Sequence, residues 1–150
     1  MLTFIRTDNS NRDFKTLVKL LDQNLKITDG DEHEFYNQFN GIEKIKHVLV
    51  VYKEEILIGC GAIKHHDINT AEVKRMYVLD QFRGQGIATE ILGQLELWAE
   101  ELGYHKCILE TGSRQHSAIA LYKKNEYEVI DNYEQYLGVE NSVCFGKTLH

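Results

Sequence analysis

The sequence predicts one domain of mixed α and β structure, spanning residues 1–150, around a mostly antiparallel sheet. Three observations lead there. Alternating apolar runs follow each other between residues 47 and 79 with only short turns between them, which is a meander. A long single-face helix then begins behind a glycine-containing turn. No linker, repeat or low-complexity tract divides the 150 residues, a length that ordinarily makes one sizeable core. A doubly wound parallel sheet fits this order poorly.

LTFIR, Leu2 to Arg6, reads as a first strand. Asp8-Asn9-Ser10-Asn11 turns the chain and caps a helix. Phe14, Leu17, Val18, Leu21 and Leu25 recur at spacings of three and four, one helical face. Asp29-Gly30-Asp31 breaks it, and Phe35, Phe39 and Ile42 mark a second, weaker helix. His47 to His66 holds two strand-like runs joined by Lys53-Glu54-Glu55, a hairpin without the strongest turn pair. After the turn at Asp67-Ile68-Asn69, Ala71 to Leu79 is a third central strand. Period-two geometry places Glu72, Lys74, Met76 and Val78 on one side of it.

The central helix carries Ile87, Ala88, Ile91, Leu92, Leu95, Trp98, Ala99 and Leu102 on one face, and Gly103 stops it. Lys106 to Thr111 is a short strand. Arg114 to Asn125 begins polar and turns helical through Ala118, Leu121 and Tyr122. A strand starts at Tyr127. Ser142 to Thr148 is the last, with Val143, Phe145 and Lys147 sharing a side.

Seventeen Lys plus Arg against 23 Asp plus Glu give a formal charge of −6. That balance speaks against a nucleic-acid footprint and permits a cationic small substrate. Cys60, Cys107 and Cys144 lie far apart in apolar runs, which reads as buried thiols in a reduced, cytoplasmic protein. MLTFIRTDNSN does not read as a signal peptide, and no apolar run approaches membrane length. Adjacent strand residues point to opposite faces, so His65-His66 does not chelate, and no zinc spacing or calcium loop is present; no metal is expected.

Arg83-Gly84-Gln85-Gly86 joins a strand end to a helix start. Glycines let backbone amides approach a ligand closely, and free N–H groups of a first helical turn face anions. This is phosphate chemistry. The turn matches neither the dinucleotide fingerprint nor the P-loop, and a plain tight turn also accounts for two glycines.

The whole arrangement resembles the GCN5-related N-acetyltransferases, which move an acetyl group from acetyl-coenzyme A to an amine. Arg83, Gly86 and Ala88 match that family's Arg/Gln-x-x-Gly-x-Gly/Ala signature. Met76-Tyr77-Val78 resembles its cofactor strand, whose backbone bonds the pantetheine arm and the acetyl carbonyl. AIALYKKNEY resembles its A-x-x-LY-x-x-x-GF segment. The resemblance covers nearly the whole chain. It implies about seven strands and four helices, the sheet splayed between the fourth and fifth strands, with acetyl-coenzyme A wedged there. It implies cofactor contacts from Met76, Tyr77, Val78, Arg83, Gly84, Gln85, Gly86, Ile87, Ala88, Thr89, Gln115 and Tyr122.

Acetyl transfer to an amine needs the amine deprotonated, the thioester carbonyl polarised and the thiolate stabilised. The resemblance assigns Tyr122 as general acid toward the sulfur and the Val78 amide as carbonyl polariser. Glu72, near the start of the central strand, is the first candidate for general base; Glu110, at the end of the facing strand, is the second. The Glu72 carboxylate would need a raised pKa to work near neutrality. An exposed strand carboxylate and a core tyrosine are the plain alternatives for Glu72 and Tyr122. Two departures stand out. Gln115 replaces the family's usual Asn, and Glu126-Tyr127 replaces Gly-Phe, with Asn125 expected to take the left-handed cap.

The acceptor side implied by the resemblance runs over Leu25 to Phe39 and Tyr133 to Glu140. Asp29, Asp31, Glu32 and Glu34 there suit a cationic amine of a small molecule, or simply a solvated helix start. Tyr133 and Tyr136 form an apolar wall or cover the sheet. A homodimer is expected from the pairing common among relatives. A cofactor-binding or partner-binding module of the same fold without turnover, and an unrelated α+β domain with a structural glycine turn, remain the competing readings.

Overall fold

The computed structural model describes residues 1–30, 36 and 41–149. Its strands are β1 (Leu2–Thr7), β2 (His47–Lys53), β3 (Ile56–Asp67), β4 (Thr70–Val78), β5 (Lys106–Gly112), β6 (Glu128–Ile130) and β7 (Ser142–Thr148). Its main helices are α1 (Arg12–Asp29), α2 (Ile87–Glu101) and α3 (His116–Lys124). The strands form one sheet in the order β1-β2-β3-β4-β5-β7-β6. Every neighbouring pair is antiparallel except β4 and β5. The weaker helix expected over Phe35, Phe39 and Ile42 lies outside the described residues, apart from Ile42 in irregular backbone.

The helices start and stop where local chemistry dictates. Asn11 caps α1 by accepting the Phe14 N–H at 2.9 Å, and Gly30 ends it at φ 59°. Gly103, at φ 95°, turns the chain after α2, while the Tyr104 N–H reaches back to the Ala99 carbonyl at 3.0 Å. Leu102 sits at that cap and is 43% exposed, so the buried stripe of α2 ends at Ala99 rather than at Leu102. The β2–β3 hairpin closes with Glu54 at φ 50° and Glu55 at φ 71°. Two positive φ angles make the turn whose twist matches the strands, built here without Asn or Gly.

Two layers cover the sheet. On one face Phe14 and Leu17 of α1 cluster with Val48, Val50, Cys60, Ala62 and Tyr77. On the other, Ile91, Leu92 and Leu95 of α2 cluster with Leu49, Val51, Ile63 and Val73. All three cysteines are free and buried.

Two features of β4 decide where the site lies. First, it pairs with β5 only from Thr70 to Glu72, opposite Lys106 to Ile108. Beyond that the strands part, while β5 stays paired with β7 along its length. Second, β4 carries a bulge. Cys60 of β3 faces Tyr77 and Ala62 faces Lys74, so three residues of β4 span two of β3, and Arg75 takes φ 56°. An extra residue reverses the side-chain alternation beyond it. Glu72 and Lys74 therefore share the face of α1, whereas Met76 and Val78 join the α2 core. The expected common side for all four does not survive the bulge.

At the end of α3 the left-handed residue is Glu126, at φ 72°, not Asn125, whose φ is −95°. The Asn125 side chain instead donates to the Leu121 carbonyl at 2.9 Å and to Thr89 Oγ1 at 3.2 Å. It ties α3 to the first turn of α2.

Candidate active site

The turn before α2 has the geometry of an anion cradle. Gly84 and Gly86 both sit at φ 78°, and an added Cβ at either would meet nothing within 4 Å. Its N-cap residue is Gly86, and among the described residues no side chain caps the helix, so the first-turn amides have neither an intrahelical partner nor a capping oxygen there. The Arg83 side chain is committed to holding the turn. Its Nε donates to the Val78 carbonyl at 2.9 Å, its Nη1 pairs with Asp80 at 2.8 Å, and its guanidinium lies 5.5 Å from the Tyr77 ring centroid. The backbone, not the Arg83 charge, is what the turn offers.

A cavity of about 150 Å³ opens where β4 and β5 part. Leu21, Leu25 and Asp29 of α1 border it, with Val73 to Met76 of β4, Glu110 to Gly112 of β5, and Gln115, Ala118 and Tyr122 of the α3 segment. Glu110 stands opposite Cys144 of β7, which clusters with Tyr36 and Tyr136. Tyr122 packs on Tyr127 and Phe145, with ring centroids 5.8 and 5.9 Å away, in the α2 core. The two residues thus belong to opposite faces of the sheet and reach one cavity because the strands separate.

Glu110 Oε2 is buried and has no hydrogen-bond partner among the described residues. Burial pushes its carboxyl up to about 7, against the pull of a hydrogen bond with Ser142 and the Lys74 ammonium. Burial, and then the Glu110 charge, push the Tyr122 hydroxyl well above the ordinary phenol value. Glu72 is 5% exposed; its Oε2 accepts the Tyr133 hydroxyl at 2.7 Å and lies 3.8 Å from Lys74 Nζ. It does not border the cavity. Gln115 Nε2 donates to Asp29 Oδ1 at 3.4 Å, so the longer amide is used across the cavity.

Met76 borders the cavity, whereas Tyr77 and Val78 lie beyond it along the splayed edge, leading to the glycine turn. Tyr133 and Tyr136 meet edge to face at 5.7 Å on the Cys144 side. Asp29 faces the cavity; Asp31, Glu32 and Glu34 lie outside the described residues. His65 contacts the Tyr104 hydroxyl and His66 contacts Glu134, in separate places.

Sequence reasoning missed Lys74 and Arg75. Burial pulls the Lys74 ammonium down, and Arg75 is 6% exposed, with Nη2 2.6 Å from Asp22. Their signal was two consecutive cations inside an otherwise apolar strand, which period-two alternation does not accommodate.

The model of the acetyltransferase (GNAT) family matches residues 14–127. The chain belongs to this family. An uncharacterised N-acetyltransferase of Bacillus subtilis, YsnE, is 30% identical over 115 residues, covering 73% of this chain and 76% of the relative. An IAA acetyltransferase of Azospirillum brasilense is 39% identical over 83 residues, 53% of this chain and 52% of the relative. The crystal structure of a Klebsiella pneumoniae protein assigned to the acyl-CoA N-acyltransferases superposes with a TM-score of 0.84 at 29% identity, covering 100% of this chain and 99% of that one. A family member from Elizabethkingia anophelis, solved with acetyl-CoA bound, shares the fold at a TM-score of 0.73 and 19% identity, covering 99% and 98%. The GNAT fold accounts for the β4–β5 wedge and for the glycine turn at its mouth.

Proposed function

We propose that the protein is an N-acetyltransferase that moves the acetyl group of acetyl-CoA to a primary amine of a small molecule by direct attack. One observation carries the reading: the wedge brings Glu110 and Tyr122 to a single cavity from opposite faces of the sheet. The glycine turn supports a pyrophosphate at the amides of Gly84 to Thr89. Beyond Glu72 the β4 edge has no strand on its β5 side, and buried amides and carbonyls there call for partners. A pantetheine arm along Met76, Tyr77 and Val78 supplies them. Acetyl-CoA held by a protein of the same fold agrees with this path.

Glu110 takes the role of base. A carboxyl titrating at about 7 accepts a proton near neutrality while remaining basic enough to matter. It removes a proton from the acceptor ammonium, whose nitrogen then attacks the thioester carbonyl carbon. The C–N bond forms, the C–S bond breaks, the Tyr122 hydroxyl supplies a proton to the departing sulfur, and the second proton shed by the nitrogen restores the phenol while Glu110 gives its proton to solvent. The Met76 amide, at the cavity, is placed to polarise the carbonyl in preference to Val78, which lies further along the strand. Glu72, engaged by Tyr133 and Lys74, helps hold the charge pattern of the acceptor side.

The test is acetyl-CoA-dependent thiol release over a panel of amines, with pH profiles for the wild type, Glu110→Gln, Glu72→Gln and Tyr122→Phe. Wild-type kcat/KM should rise to a plateau through an apparent pKa near 7. Glu110→Gln should lose that limb and roughly 100-fold or more in rate, while Tyr122→Phe lowers kcat more than it changes KM. An unaffected Glu110→Gln beside a collapsed Glu72→Gln moves the base to Glu72.

A further inference from the structure

The cavity is bordered by charges of both signs, and among the described residues Glu110 Oε2 and Arg75 Nε are buried without hydrogen-bond partners. The Lys74 side chain is 9% exposed and borders the cavity. Its ammonium has three donors, yet among the described residues its one close counter-charge is Glu72 Oε2 at 3.8 Å, beyond hydrogen-bond reach. That oxygen already accepts the Tyr133 hydroxyl. Across the cavity, Glu110 Oε2 is buried without a hydrogen-bond partner among the described residues. The neighbouring Arg75 differs, since its charge is paired with Asp22 at 2.6 Å through Nη2, although its buried Nε has no partner among the described residues.

Buried charges left without hydrogen bonds are costly, and a bound ligand of matching pattern relieves them. A plain amine satisfies Glu110 but brings a second cation beside Lys74. A plain carboxylate satisfies Lys74 but faces Glu110 and Asp29. A molecule with both groups a few bonds apart satisfies both sides.

We propose that the acceptor belongs to the amino acid class: a small primary amine that carries a carboxylate, its amine against Glu110 and its carboxylate against Lys74. The inference rests on the acetyltransferase reading above. The room available agrees with it, because a cavity of about 150 Å³ accommodates a small head group. Tyr133 takes a positioning role. Its hydroxyl occupies Glu72, which leaves the Lys74 donors for the incoming carboxylate.

The experiment measures acetyl-CoA-dependent thiol release with matched acceptors: glycine, L-alanine, L-phenylalanine and L-lysine, each beside its decarboxylated amine and its carboxamide. The amino acids should exceed their neutral-tail counterparts in kcat/KM by about 10- to 100-fold, the range of a charge-assisted hydrogen bond. Lys74→Met should bring that ratio close to one, mainly through KM for the amino acids, and Lys74→Arg should restore part of it. A purely structural lysine would lower both series alike and leave the ratio intact. Decarboxylated amines used as well as the amino acids, or an unchanged ratio in Lys74→Met, would overturn the proposal while acetyl transfer to amines stands. Turnover of neither series, with acetyl-CoA binding demonstrated by calorimetry, would overturn both.

Discussion

Replacing Glu110 by Gln should make the protein more stable at alkaline pH, even as it disables the proposed base. Glutamine is the neutral isostere of the protonated acid. The Glu110 carboxyl titrates at about 7 in the fold against 4.5 ordinarily, chiefly because of burial. The folded state therefore binds this proton more tightly than the unfolded chain. Its stabilising contribution is complete below about 4.5 and is lost as pH rises through about 7. The full loss corresponds to about 3 kcal/mol. Water entering the cavity screens the charge, so about 1–3 kcal/mol is the expected range. Urea unfolding of wild type and Glu110→Gln at pH 5, 7 and 9 measures it. The two should be closely matched at pH 5 and diverge in favour of the variant by pH 9. A difference that stays constant across this range would show that Glu110 is solvated as an ordinary carboxylate, and the base assignment would lose its physical basis.

Two predictions concern the frame of the site. At Gly61 an added Cβ would lie 2.8 Å from Leu95 Cδ1 and 2.9 Å from Ile91 Cγ2; Gly61→Val should lift α2 from the sheet and cost about 1–3 kcal/mol in urea unfolding, and an unchanged midpoint would refute the close contact. Glu126 is exposed at φ 72°; Glu126→Gly should raise stability by about 1 kcal/mol, since the left-handed strain removed exceeds the entropy that glycine adds to the unfolded chain, and a loss of stability would refute it.

The wedge reconciles two requirements that a flat sheet does not meet. An acid and a base acting on one reacting centre need to approach it from different directions, yet strand side chains alternate strictly between faces. Parting β4 from β5 exposes both faces to one cavity, so a residue from each can serve it. The β4 bulge adds to this by sending Lys74 and Met76 to different sides of the same strand. The cation joins the α1 face, and the apolar side chain joins the α2 core.

Local pattern sufficed for much of the chain. The periodic stripe at Phe14, Leu17 and Leu21, the cap at Asn11, the stop at Gly103, the last strand at Ser142 to Thr148 and the glycine turn at 84–86 were all legible, because each depends on residues within a few positions of one another. The family motifs extended this to the splay between the fourth and fifth strands. What depended on pairing was not legible. Whether Glu72 or Glu110 reaches the cavity is decided by where the β4–β5 ladder stops and by one extra residue at Arg75. Both are set by the fit of three strands and two helix layers, not by β4 alone. The same holds for the charge state of Glu110, because burial raises its carboxyl and burial is a property of everything packed around it. Sequence by itself determined the elements, their order and the glycine turn, which are short-range consequences of side-chain chemistry. Only the tertiary structure decided which charged groups share the cavity, because a register shift of one residue exchanges the two faces of a strand.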